Sequence, residues 1–408
     1  VLFLPQSTFL LYNGNGRKMA QGVTVKVSPL VMKWALEKMP VEKCAKDLRD
    51  KAFSWFSGTE EPTFRQLEDF SRKTSIPFGC FFLEQPPQEE LPLLAFRTLR
   101  KPGGEPSRNL IEVAEQMESI QDWMHEYRDD QGWTGLKLVG CMKDNSVPSA
   151  IAMRMREDLE MKESWFRTTK GCRDSFSFMR EKLGEKGVLV MMSGIVGSNT
   201  HRSLDINEFR AFTMNDPLAP LVFINASDSW SGRLFSLFHE AVHVWIGKNS
   251  LYNVGFFTCL EGNSSLEVLC NAVAGELLVP ENLFVAYWSE NSPLSDAFSR
   301  IDFLAEDIFH VGPMVVARKA LDHGFITTAE YQEVEERQKQ LFFDTKQRPQ
   351  GGGDFYNTTC SRLDHYFALA LDESVKEGKT TYTEAFQLTG TSLKTYEQVM
   401  AKVKEGVR

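Results

Sequence analysis

Cysteines are few and scattered: seven in 408 residues, at positions 44, 80, 141, 172, 259, 270 and 360, with no two in C-x-x-C spacing. An odd, dispersed set argues against a disulfide framework and suits a reducing cytoplasm, the location expected for this chain. Long apolar runs are missing too. No stretch reaches the roughly 18 residues a membrane-spanning helix needs, so no membrane association is expected. Residues 1–11 are fairly apolar, but they lack a basic start and a cleavage signature and do not read as a signal peptide. Met19 reads as a candidate native start, with residues 1–18 added ahead of it. Positive charge is also short: 46 Lys and Arg against 55 Asp and Glu give a net charge of −9. That excludes a general nucleic-acid binder, although a local basic face remains open. A hydrophobic content of 42% and a charged content of 25% are ordinary for a soluble globular protein, and the length allows two or three domains.

The most informative segment is Phe238-His-Glu-Ala-Val-His-Val-Trp245. His239, Glu240 and His243 form an H-E-x-x-H pattern. On a helix, positions i and i+4 share a face one turn apart, so both imidazoles reach one Zn²⁺. The carboxylate beside the first imidazole can take a proton from water that the metal acidifies. The pattern reads as the active-site helix of a zinc metalloprotease. The plainer reading is a core helix that happens to carry two histidines. Against it, Leu234, Phe235, Leu237, Phe238, Ala241, Val242, Val244, Trp245 and Ile246 make the segment apolar nearly all round. Such a helix is buried, and its two His and one Glu then need partners. Gly247 offers a C-terminal cap.

A catalytic zinc takes three protein ligands and keeps one position open. Glu261, Glu267 and Glu276 are the next acidic candidates. Glu261 lies in a loop-like stretch. Ser264 or Ser265 can cap a helix running from Leu266 to Val279, stopped by Pro280. Glu267 falls in its first turn, 24 residues after His243. Glu276, nine positions on, points to the opposite side at about 100° per residue. Glu267 is therefore the expected third ligand, with Asn271 at i+4 placed to orient it. The competing roles are a first-turn Glu that complements the helix dipole and a plain surface Asn.

Several blocks follow in order: Ser193-Gly-Ile-Val-Gly-Ser-Asn199-Thr-His-Arg, Glu208-Phe-Arg-Ala-Phe212, Ala219-Pro-Leu-Val-Phe-Ile-Asn225, Phe235-Ser-Leu-Phe-His-Glu240, Glu267-Val-Leu-Cys-Asn271 and Leu277-Leu-Val-Pro280. Together they resemble the ImmA/IrrE family of zinc-dependent endopeptidases, densely in the middle of the chain and loosely at its flanks. The resemblance implies His239, His243 and Glu267 as Zn²⁺ ligands and Glu240 as general base. It also implies action on a transcriptional repressor or an antitoxin, in a stress response, phage defence or a mobile element. Two positions depart from the family pattern. Ala211 replaces a usual Gly, which suggests an altered bulge at the sheet edge, and Ser236 replaces a usual Thr.

The expected fold is α+β and mainly helical: a zincin-like metallopeptidase core with a small antiparallel-containing sheet, flanked by helical regions. Residues 1–27 read as an N-terminal extension and 28–84 as a helical domain. In the latter, Trp55-x-x-Gly58 and Pro62-Thr63-x-x-Gln66-Leu67-Glu68 resemble a repressor-like helix-turn-helix with its recognition helix around Lys51–Ser57. DNA is a candidate partner there. However, Ser28–Cys80 holds nine Lys and Arg against eight Asp and Glu, weak footing for phosphate contacts, so protein docking is the favoured role. Residues 85–108 form a linker, 109–285 the peptidase domain, 286–350 a winged-helix-like helical region and 351–408 a helical C-terminal region.

Strands are expected at Val188–Met192, Phe209–Phe212 and Leu221–Ile224, with a turn at Asn215-Asp216-Pro217. An exposed strand, either Phe209–Phe212 or Leu221–Asn225, can present main-chain hydrogen bonds to a peptide, which makes Arg210 and Asn225 candidate substrate residues. Arg210 is equally a candidate partner of Glu208 or Asp216, and that structural role is favoured. His201 and Tyr252 are candidates for approaching the site or stabilising an oxyanion. Cys259 can offer a thiolate to the open metal position, a buried structural thiol being the plainer role. Two other functions stay open: a DNA-binding regulator with a non-catalytic metal site, and a proteolytic toxin held by an antitoxin.

Overall fold

The computed structural model describes residues 24–38, 46–74, 76–87, 106–252, 265–290, 296–347 and 354–406. The chain divides into two compact units, Val1–Glu90 and Leu91–Arg408. Cys259, Glu261, Ser264, most of the linker and Gly351–Gly353 lie outside the described residues.

In the first unit, helices Pro29–Lys38, Lys46–Phe56 and Phe64–Thr74 and a 3₁₀ turn Phe78–Phe82 enclose their own core. Val31, Trp55, Leu67, Phe70 and Phe81 fill it, with Trp55 edge-on to Phe70 at 5.6 Å between ring centroids. The second of these helices runs unbroken from Lys46 to Phe56, through most of the Lys51–Ser57 segment expected as a recognition helix. Its exposed positions among the described side chains mix Asp47, Asp50, Lys51 and Phe53, so they form no basic face.

The second unit is built around a four-stranded sheet. Its strands are β1 (Leu189–Ser193), β4 (Ala211–Met214), β5 (Leu221–Asn225) and β6 (Ser250–Tyr252); β2 (Ile195–Val196) and β3 (Asn199–Ser203) form a separate hairpin. The order is β1-β5-β4-β6, with β1 parallel to β5 and the other neighbours antiparallel. Period-2 alternation splits the side chains between two cores. Val190, Met192, Ala211, Val222, Ile224 and Tyr252 face one core, which contains the helix Trp230–Ile246. Leu189, Met191, Phe212, Met214, Leu221, Phe223 and Leu251 face the other. That second core is covered by the helix Arg108–Asp130 and by helices Phe355–Arg362, His365–Lys376, Tyr382–Thr389 and Leu393–Lys404. Both faces are buried, which is why the strands read as continuous apolar runs.

The helix Arg108–Asp130 follows from its sequence. Ser107 caps it by accepting from the Leu110 N–H, and Leu110, Val113, Met117, Ile120, Trp123 and Met124 bury one stripe. Gln121 Nε2 ties it to the β4–β5 turn through the carbonyls of Met214 and Ala219.

Three expectations about the sheet are corrected. Phe209–Phe212 and Leu221–Asn225 are not free edges: β4 and β5 are interior strands, and β1 and β6 are the outer ones. Main-chain presentation of substrate by either is therefore ruled out, since their hydrogen bonds are spent on neighbouring strands. Ala211 makes no bulge. It sits in regular register between Ile224 and Tyr252, fully buried. Hairpin β2–β3 and strand β6 were not expected, because β3 is almost wholly exposed and β6 is only three residues long. No single helix among the described residues is long and apolar enough to cross a membrane.

Gly247 ends the helix Trp230–Ile246 in the left-handed region at φ 74°, donating its N–H to the His243 and Val244 carbonyls. A methyl group there would stand 2.8 Å from Gly140 Cα. Gly247→Ala is expected to lower the unfolding free energy by about 1–3 kcal/mol, from the strained φ plus the backbone clash. Urea unfolding should show a lower midpoint at unchanged slope.

Candidate metal centre

The helix Trp230–Ile246 starts at Ser229, whose side chain accepts from the Gly232 N–H, and it is buried from Leu234 to Ile246. It lies against β4, β5 and β6, so its polar residues are shut between helix and sheet. The helix Ser265–Leu278 packs beside it and brings Glu267 across from the two histidines.

His239 and His243 are fully buried and Glu267 is 5% exposed. His239 Nε2 lies 3.1 Å from Glu267 Oε2, His243 Nε2 lies 3.5 Å from Glu267 Oε1, and the two Nε2 atoms are 3.3 Å apart. His239 Nδ1 donates to Asn271 Oδ1 at 3.0 Å, so in the neutral ring Nε2 carries its lone pair toward the other two groups. Three acceptors aimed at one point repel each other unless a cation or protons lie between them. Burial holds the His243 imidazole down to about 3, with the neighbouring His239 adding to the effect, so it stays neutral as a ligand must. Burial also opposes charge on His239, but the hydrogen bond and charge of Glu267 outweigh it and lift that pKa. Glu267 is itself penalised by burial, and the two imidazoles bring it below its ordinary value.

Glu240 is fully buried on the same helix. Its Oε2 accepts from Thr213 Oγ1 at 2.6 Å and from Ser250 Oγ. Its Oε1 is buried with no hydrogen-bond partner among the described residues. Burial pushes the carboxyl up to about 7, partly offset by His239 and by the two hydroxyls.

The other candidates divide. Tyr252 is brought to the centre: its ring packs on His239 at 4.1 Å between centroids, and burial raises its hydroxyl pKa. Asn271 also belongs to the centre, but the bond that holds it there goes to His239 and not to Glu267 as expected. Arg210 pairs with neither Glu208 nor Asp216. Its partner is Asp228, whose side chain is 4% exposed. Asn225 is used inside the fold, donating to the Phe209 carbonyl and accepting from the Ser227 N–H. His201 is exposed on β3, in the hairpin that is separate from the four-stranded sheet. Glu276 points elsewhere, to Lys319 at 2.9 Å and Arg156 at 3.5 Å.

Sequence reasoning missed three residues. Thr213 and Ser250 reach Glu240 from two different strands, and no spacing announces them. Cys270 could have been found, because it shares a helix face with Glu267 at i+3. Its sulfur and ligand atoms of His239 and His243 all lie within 4.8 Å of one another. Burial and the nearby Glu267 and Glu240 raise its thiol well above the ordinary value, so it stays protonated.

A buried imidazole pair one turn apart, an acid across from it and a second acid beside it make this a metallopeptidase-type centre. Residues 184–320, about a third of the chain, match the family model of the IrrE N-terminal-like domain (Peptidase M78), which supports a metallopeptidase-type function. Residues 363–402 match a second family model, a domain of unknown function (DUF8813). Neither the curated proteins nor the solved structures contain a match to this chain.

Arg210→Met tests whether that arginine is architectural. It removes the ion-pair partner of a buried Asp228 carboxylate and leaves it, among the described residues, only the Ser229 N–H, so stability should fall by about 3–5 kcal/mol. Cation affinity, measured by competition with a chromophoric chelator, should stay unchanged.

Proposed function

We propose that this protein is a zinc-dependent endopeptidase in which His239, His243 and Glu267 hold the metal and Glu240 is the general base. The observation that carries the reading is the convergence of three buried groups: the two Nε2 atoms stand 3.3 Å apart, Glu267 Oε2 lies 3.1 Å from His239 Nε2 and Glu267 Oε1 lies 3.5 Å from His243 Nε2. Atoms bound at about 2.0–2.2 Å to a tetrahedral zinc stand about 3.3–3.6 Å apart, so the two imidazoles are spaced for that ion, and one oxygen of the adjacent Glu267 carboxylate would complete the set. Two neutral nitrogens and one carboxylate also suit zinc in kind. When bound, the cation supplies Lewis acidity, which acidifies water and polarises a peptide carbonyl.

The rest is done by the chain's own groups. Glu240 takes the proton of the attacking water at Oε1 and later returns it to the leaving amine. A carboxyl poised near neutral pH can do both. Asn271 fixes the tautomer of His239, and the Tyr252 ring restrains its orientation. A scaffold that merely bound metal would have no use for Glu240, which favours the enzyme over a regulator with an inert metal site.

The substrate class we propose is a repressor or antitoxin protein, on the strength of the ImmA/IrrE resemblance. The first unit is read as a protein-docking module, since Asp47 and Asp50 are exposed beside Lys51 on the helix that would otherwise meet DNA.

Purified protein and its Glu240→Gln form, incubated with the products of neighbouring genes, test the reading. Glu240→Gln should keep stoichiometric zinc by elemental analysis and lose about 10²–10⁴-fold in hydrolysis. His243→Ala should lose both. Equal cleavage by wild type and Glu240→Gln, or operator binding by both without cleavage, would sink it.

A further inference from the structure

Two hydroxyls reach the same oxygen of Glu240 from opposite directions along the chain. Thr213 lies 27 residues before it and Ser250 ten residues after it. They are direct partners across the antiparallel β4–β6 pair. Both project from the sheet face that carries Ala211 and Tyr252, toward the histidine helix. Opposed residues in such a pair hold their Cβ atoms about 4.5–5.5 Å apart, a span that one acceptor oxygen can bridge. The left-handed turn at Gly247 returns the chain to the sheet and sets Ser250 opposite Thr213.

The division of labour between the two carboxylate oxygens is uneven. Oε2 accepts both hydroxyls, while Oε1 is buried and has no partner among the described residues. A purely architectural carboxylate at full burial would have both oxygens bonded. We infer that Thr213 and Ser250 are positioning residues: a cross-strand hydroxyl clamp that pins Glu240 by Oε2 and leaves Oε1 to handle the proton. The inference rests on the general-base role proposed for Glu240. A lysine at either position would hold the same oxygen but bring a charge that competes with the incoming proton. Neutral hydroxyl donors hold it without that competition.

The test uses the zinc-loaded full chain and a proteome-derived peptide library, with cleavage products read by mass spectrometry and kcat and KM then measured on one cleaved peptide. Thr213→Val and Ser250→Ala should each lower kcat by about tenfold or more, as expected when a reacting group drifts from its place, with KM and zinc content unchanged. Thr213→Ser, which keeps the hydroxyl, should retain most of the wild-type kcat. The double variant should approach Glu240→Gln instead of adding further, because the three residues act as one unit. Single variants that keep wild-type kcat would overturn the clamp, as would losses that track melting temperature and are equally large in Thr213→Ser. A second readout needs no substrate. In a crystal structure of zinc-loaded Thr213→Val/Ser250→Ala, the Glu240 carboxylate should leave its wild-type position while His239, His243 and Glu267 stay. An unmoved carboxylate overturns the clamp. If wild type cuts nothing, or Glu240→Gln cuts as well as wild type, the peptidase reading fails, and the crystal structure still judges the clamp by itself.

Discussion

Two imidazoles and two carboxylates are shut between one helix and one sheet, and the rest of the structure answers to that burial. An isolated ion taken out of water costs several kcal/mol, more than the roughly 1.5–3 kcal/mol gained by burying a large apolar side chain. No amount of packing around Trp230–Ile246 would keep these four polar groups inside unless each had a partner. Three of them, His239, His243 and Glu267, converge on one point. The fourth, Glu240, is held by hydroxyls from the sheet.

That solution constrains the sheet as much as the helix. On the face toward the histidines, Val190, Met192, Ala211, Val222 and Ile224 and the Tyr252 ring flank the one cross-strand hydroxyl pair, Thr213 and Ser250, that meets Glu240. A residue larger than Ala211 would push against the helix. The opposite face carries no chemistry and is covered by helices from both ends of the second unit. Those helices protect the sheet from water, which keeps the site dry and strengthens every electrostatic contact within it.

Arg210 and Asn225 illustrate a different constraint. Both stand near the centre in sequence and look like substrate residues, yet each is committed to the loops that lead into the histidine helix, through Asp228 and through Phe209 and Ser227. They shape the entry to the helix that carries the two histidines.

The sequence by itself determined the histidine helix, its cap at Gly247, the two histidines one turn apart, Glu267 as the acid across from them, and the mainly helical α+β class. These are local: a period of 3.6, a glycine stop and a first-turn carboxylate can be read within one segment. What Asn271 touches, which strands are interior, Arg210's pairing with Asp228, and the arrival of Thr213 and Ser250 at one oxygen were decided only by tertiary structure. Each depends on strand order and register, and a strand's pairing is set by whole-sheet packing that no short window of sequence contains.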